Sequence, residues 1–148
     1  MPSANVQLVF PMCAMFALAV FVLLKTFKAR YAAVRSGAMK LGYFKTFSHG
    51  HECVTEDVAK TGRQFTNIFE APLLFYIACL IGMILPVEGF LFLILAWAYV
   101  AVRLAHALIH MGSNNVLIRM RVYAVSWLVL VTMWVLIFVK AIRIAMIA

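Results

Sequence analysis

Arg63, Asn67 and Glu70 stand at i, i+4 and i+7 within a mainly apolar stretch. In a helix that spacing puts a guanidinium, a carboxamide and a carboxylate on one stripe. Tyr99, Arg103, His106 and His110 stand at i, i+4, i+7 and i+11 further along and form a second stripe. Arg119 and Arg121 come soon after it. A charge inside a membrane helix costs about 2.5–3.5 kcal/mol on insertion scales, so Glu70 and Arg103 each require a partner. The plainest arrangement pairs the two and ties their helices together, with Asn67 bonded to a backbone carbonyl. Against that, Arg63, Arg103, Arg119 and Arg121 outnumber the single carboxylate of Glu70. The surplus positive charge would be balanced by an anionic ligand.

Other constellations carry less. His106 and His110 at i, i+4 could grip a metal or supply one axial haem ligand. The remaining histidines, His49 and His51, lie in a linker rather than on a facing span, so no metal is expected. His49-Gly50-His51-Glu52-Cys53 offers N, O and S donors, but reads as a solvated loop. Cys13 and Cys79 fall in apolar segments and Cys53 in that loop, an odd count that implies no structural disulfide.

The elements that must position these residues are membrane helices. Two thirds of the 148 residues are hydrophobic and mean hydropathy is +1.02, which excludes a water-soluble fold. Apolar runs at 6–24, 64–85, 89–109 and 122–139 are each long enough to cross the bilayer. The expectation is an all-α, four-helix membrane bundle forming a single domain over residues 1–148. Helices one and four look mainly structural, while two and three carry the facing polar stripes. Pro72 lies inside the second run and predicts a bend there. Residues 1–7 lack a positively charged segment, so the first run is expected to stay rather than be cleaved.

The formal charge of +8 does not point to nucleic acid, because the Lys and Arg residues sit mainly between the spans. The first linker, 25–63, carries eight of them, and the third, 111–121, carries Arg119 and Arg121. Two spans separate these linkers, so they share a side, which the positive-inside rule makes cytoplasmic. Lys140 and Arg143 near the end of the last helix oppose the rule but can snorkel to the interface.

The run Arg63-Gln64-Phe65-Thr66-Asn67-Ile68-Phe69-Glu70-Ala71-Pro72 resembles the second-helix pattern of the MAPEG family, the membrane-associated proteins of eicosanoid and glutathione metabolism, particularly its small bacterial members. Tyr99-Val100-Ala101-Val102-Arg103-Leu104-Ala105-His106 resembles the family's third helix, and Asn115 and Arg119 beyond it support the likeness. The resemblance implies a homotrimer in a bacterial inner membrane, with a glutathione site between neighbouring subunits near the cytoplasmic face. It assigns glutathione binding to Arg63, Asn67 and Glu70, with Arg103, His106 and His110 as further candidates on the second stripe. It also implies a catalytic arginine near the start of helix four, Arg119 by the closer match and Arg121 by the next. A cation there would stabilise the thiolate, the nucleophilic form of glutathione, against a hydrophobic electrophile arriving from the lipid.

Ala71 stands where the leukotriene-forming members have Tyr, and His106 and His110 stand where those members have Tyr in helix three, which speaks against eicosanoid specificity. Implied functions are therefore a glutathione transferase or glutathione-dependent peroxidase. The alternatives are a non-catalytic scaffold or lipid-binding protein of the same family, or an accessory subunit of a larger membrane complex.

Overall fold

The computed structural model describes residues 6–46, 54–85, 87 and 90–147. After a 3-10 turn at Val6–Leu8 come α1 (Val9–Arg35), α2 (Tyr43–Thr46), α3 (Glu56–Ile84), α4 (Phe90–Met111) and α5 (Val116–Ala145). The described residues are all-helical apart from turns, and four helices are long and apolar enough to cross a membrane.

These helices outrun the apolar runs. The first run ends at Leu24, yet α1 continues to Arg35; the second begins at Gln64, yet α3 begins at Glu56. Hydropathy registers contact with lipid, whereas a helix continues until its backbone ladder is broken. After Leu24 nothing breaks it until Gly37, whose φ of 74° ends the helix with its N–H on the Val34 carbonyl. Much of the expected first linker is therefore helix projecting past the hydrocarbon. At 1.5 Å per residue, the 29 residues of α3 span about 44 Å against a core of about 30 Å.

The core lies along one stripe of α3, comprising Gln64, Ile68, Ala71, Phe75, Ala78, Cys79 and Gly82. It meets Phe92, Ala96, Tyr99 and Val100 of α4, Met15, Leu18 and Val22 of α1, and Leu130, Met133 and Ile137 of α5. Phe75 stacks on Tyr99 with ring centroids 4.6 Å apart. Gly82 lets α4 approach: a Cβ there would sit 2.6 Å from the Phe92 ring. Pro72 is buried within an uninterrupted α3. Toward the other end the Thr26 hydroxyl donates to Val22 O (2.9 Å) and Thr61 O (3.2 Å), fixing the register of α1 against α3. The ends of α1 and α4 and the starts of α3 and α5 share one end of the bundle. Most of the cations sit there, which makes it the basic end of the molecule.

Candidate functional site

The α4 stripe is fully internal. Tyr99 and Arg103 have no exposed surface, His106 is 2 % exposed and His110 5 %. Arg103 donates from Nη2 to the Asn67 backbone carbonyl (2.9 Å) and to Asn67 Oδ1 (2.6 Å). Its guanidinium also lies 5.9 Å from the centre of the Tyr123 ring. The expected Glu70–Arg103 pair is not formed, and a carboxamide takes its place. Glu70 is exposed, as is Arg63, while Asn67 is half-buried.

The Arg63–Asn67–Glu70 stripe therefore does not face the bundle as a unit. Spacing defines a stripe but not its azimuth. The buried stripe of α3 runs through Gln64, Ile68 and Ala71, one residue on from the polar one. One residue is 100° of rotation at 3.6 per turn, so the polar stripe lies on the helix's shoulder. Only its middle member reaches the interior.

A short polar link aims the start of α5. Asn114 closes α4 in the left-handed region (φ 49°), which Asn tolerates better than most residues, and its N–H reaches the Ile109 carbonyl (2.8 Å). Asn115 then caps α5, its side chain accepting from Ile118 N (3.2 Å). One turn inside the helix, Arg119 donates from Nη1 to Asn114 Oδ1 (2.7 Å) and approaches His110 Nε2 (3.4 Å).

Arg63, Asn67, His106, His110, Arg119, Met120 and Tyr123 line one pocket of about 240 Å³. Five of the eight residues expected from sequence thus come together from three helices. Arg103 stands behind them through Asn67. Glu70 and Arg121 are exposed and lie outside the pocket wall. His49, His51 and Cys53 lie outside the described residues. Tyr123, Met120 and Asn114 join the site without belonging to either polar stripe, although Tyr123 stands at i+4 from Arg119 and so shares its face of α5.

Several buried polar atoms at this site have no hydrogen-bond partner among the described residues. They are Arg103 Nε and Nη1, His106 Nδ1 and His110 Nδ1, with Gln64 Nε2 and Oε1 and the Tyr99 hydroxyl deeper in the bundle. Such atoms are rare in folded proteins and each requires a partner. With guanidiniums from Arg63 and Arg119 on the wall and Arg103 behind, the arrangement favours an anion that offers several acceptors.

Comparison with curated proteins and with solved structures returned no match. The model of the MAPEG family matches residues 8–139, most of the chain and all four long helices in whole or large part. This multi-pass membrane protein belongs to the MAPEG family.

Proposed function

We propose that the protein binds glutathione in the pocket at the basic end and transfers its thiolate to a hydrophobic electrophile. The observation that carries this reading is the convergence of Arg63, Asn67, His106, His110 and Arg119 on one pocket, backed by the buried Arg103. Glutathione at neutral pH has two carboxylates, one ammonium and a thiol, so three arginines complement it and its thiolate. Arg63 pairs with a carboxylate, Asn67 offers both a donor and an acceptor, and Glu70, one turn along α3 from Asn67 and outside the wall, accepts from the ammonium where the peptide extends past it. Arg103 holds Asn67 in place from behind, and His106 and His110 present ring nitrogens to the peptide.

Arg119 is the thiolate stabiliser in this reading. Its Nη1 is committed to Asn114, which leaves Nε and Nη2 for sulfur, whereas Arg121 is exposed away from the wall. The thiol proton passes to solvent, the thiolate attacks the electrophilic carbon, a C–S bond forms and the leaving group departs with its electron pair. An apolar cleft of about 300 Å³ between α1 and α3, lined by Phe16, Phe65, Phe69 and Tyr76 among others, supports an apolar reaction partner drawn from lipid.

The same reading makes the protein a homotrimer. Glu70 is exposed among Phe69, Leu73 and Leu74 of a spanning helix, and leaving it against lipid would cost about 3 kcal/mol. A neighbouring copy that covers this shoulder removes the cost and completes the wall around the peptide. In keeping with the positive-inside rule, the proposed side for the basic end is the cytoplasm, where glutathione is available, and a bacterial inner membrane is the proposed host.

Calorimetry of the detergent-purified protein with glutathione tests binding, and the ultraviolet absorbance of the thiolate tests activation. Heat of binding with a rise in thiolate absorbance is expected, and Glu70→Ala weakens the affinity. Absence of both signals would replace this reading with that of a non-catalytic scaffold.

A further inference from the structure

A second amphipathic pocket, of about 440 Å³, opens at the basic end between α1, the start of α3 and the end of α4. Its polar lining is Lys25 and Lys28 on α1 and Asp57 and Thr61 on α3, the Thr61 hydroxyl donating to the Asp57 backbone carbonyl (2.7 Å), and its apolar walls include Phe21, Leu108 and Met111. Lys25, Lys28 and Asp57 are all exposed, and none of them forms an ion pair among the described residues. Two cations and one carboxylate thus face a common space unneutralised. None of the three belongs to the glutathione site.

Along the helix axes these groups stand in a definite order. The Thr26–Thr61 hydrogen bond puts those two residues at one level. From that level Asp57 lies one turn toward water, about 6 Å. Lys28 lies about 3 Å toward water, Lys25 about 1.5 Å toward the hydrocarbon, and Phe21 about 7.5 Å toward it. Counted along the backbone inward from water, the pocket therefore offers Asp57, then Lys28 and Lys25, then apolar wall, with the Lys25 ammonium 5.6 Å from the centre of the Phe21 ring where that wall begins. A phospholipid with a primary-amine headgroup has the complementary order: ammonium outermost, phosphodiester a few ångströms below it, acyl chains beneath.

We infer that this pocket binds an aminophospholipid, its phosphodiester between Lys25 and Lys28, its ammonium on Asp57, and an acyl chain along Phe21 and Leu108. Asp57 decides the headgroup. A purely anionic lipid would satisfy the lysines but meet the carboxylate with like charge, whereas the amine converts that repulsion into a charge-assisted hydrogen bond. The fit is one of charge complementarity along the pocket.

Native mass spectrometry of the delipidated full-length protein, titrated with phosphatidylethanolamine or phosphatidylglycerol, tests the inference. Wild type is expected to retain phosphatidylethanolamine several-fold more tightly. Each lysine near a membrane surface contributes about fivefold in binding, so Lys25→Ala with Lys28→Ala weakens it by about twenty-fivefold. The Lys25→Arg, Lys28→Arg pair retains it. Asp57→Asn removes the preference for the amine lipid while phosphatidylglycerol binds as well as before or better. These side chains are exposed, and unchanged helix content by circular dichroism verifies that the variants fold. Equal or tighter binding of phosphatidylglycerol by wild type would overturn the inference. So would retention of phosphatidylethanolamine by the double-alanine variant, its displacement by equimolar inorganic phosphate, or disulfide capture of a second copy through Lys25→Cys.

Discussion

The Asn67–Arg103 contact can be tested without any ligand. Arg103 is wholly buried, and two of its three guanidinium nitrogens lack a partner among the described residues, so the bonds from Nη2 to Asn67 carry most of its compensation. Asn67→Ala removes the acceptor at 2.6 Å and leaves only the backbone carbonyl. A hydrogen bond to a charged group contributes about 1.5–3 kcal/mol, and the buried donor left behind keeps its desolvation cost. The expected loss is about 2 kcal/mol, or a fall of about 5 °C in the melting temperature measured in detergent without glutathione. Asn67→Asp, nearly isosteric and still an acceptor, should hold or raise stability. Replacing Arg103 by Met removes the charge that needs compensation. Asn67→Ala should then cost little on that background, a coupling of about 1–2 kcal/mol in a double-mutant cycle. A coupling below about 0.5 kcal/mol, or equal losses for Asn67→Ala and Asn67→Asp, would refute the role given to the carboxamide.

The geometry sets three further outcomes. Gly82→Ala drives a methyl to 2.6 Å from the buried Phe92 ring and should destabilise the bundle by about 1–3 kcal/mol, with Phe92→Leu restoring most of it in a thermal melt. Asn114→Gly keeps the left-handed backbone but removes the acceptor for Arg119, so helix content stays constant while binding-dependent thiolate absorbance falls about fivefold. Arg119→Ala should abolish that absorbance and Arg121→Ala leave it unchanged, since only the former lines the pocket; loss in Arg121→Ala alone would reverse the assignment.

Periodicity makes much of this architecture visible in the sequence, and particular residues show where it stops. The α4 stripe is legible because Tyr99, Arg103, His106 and His110 are the only strongly polar groups on their helix and point inward together. The α3 stripe is legible as a stripe but not in its azimuth, because Gln64, one residue along, is the polar group that is buried there. Pairing by charge alone then matches Arg103 with Glu70, whereas the side chain within reach is the uncharged Asn67. The helix ends escape hydropathy for a different reason. Lys28, Arg30 and Arg35 mark departure from lipid, not the end of a hydrogen-bonded ladder. Asn114 carries no periodic signal at all, since its contribution rests on a left-handed backbone in the turn between α4 and α5.

That turn explains why the site is electropositive beyond a count of arginines. A cation one turn inside a helix N-terminus meets the positive end of the macrodipole, an unfavourable placement by about 0.3–1 kcal/mol. The first turn of α5 has no acidic residue to offset it. Asn115 satisfies one backbone N–H, and Asn114 holds Arg119 by a neutral carbonyl oxygen instead of a carboxylate. Arg103 is treated the same way, held by Asn67 with its charge intact. In both places a carboxylate would have cancelled the charge and given a tighter local pair. Amides fix the geometry of the arginines while leaving their field available to an anion such as the proposed ligand. If the proposed site binds an anion, Asn67 and Asn114 serve it by orienting Arg103 and Arg119.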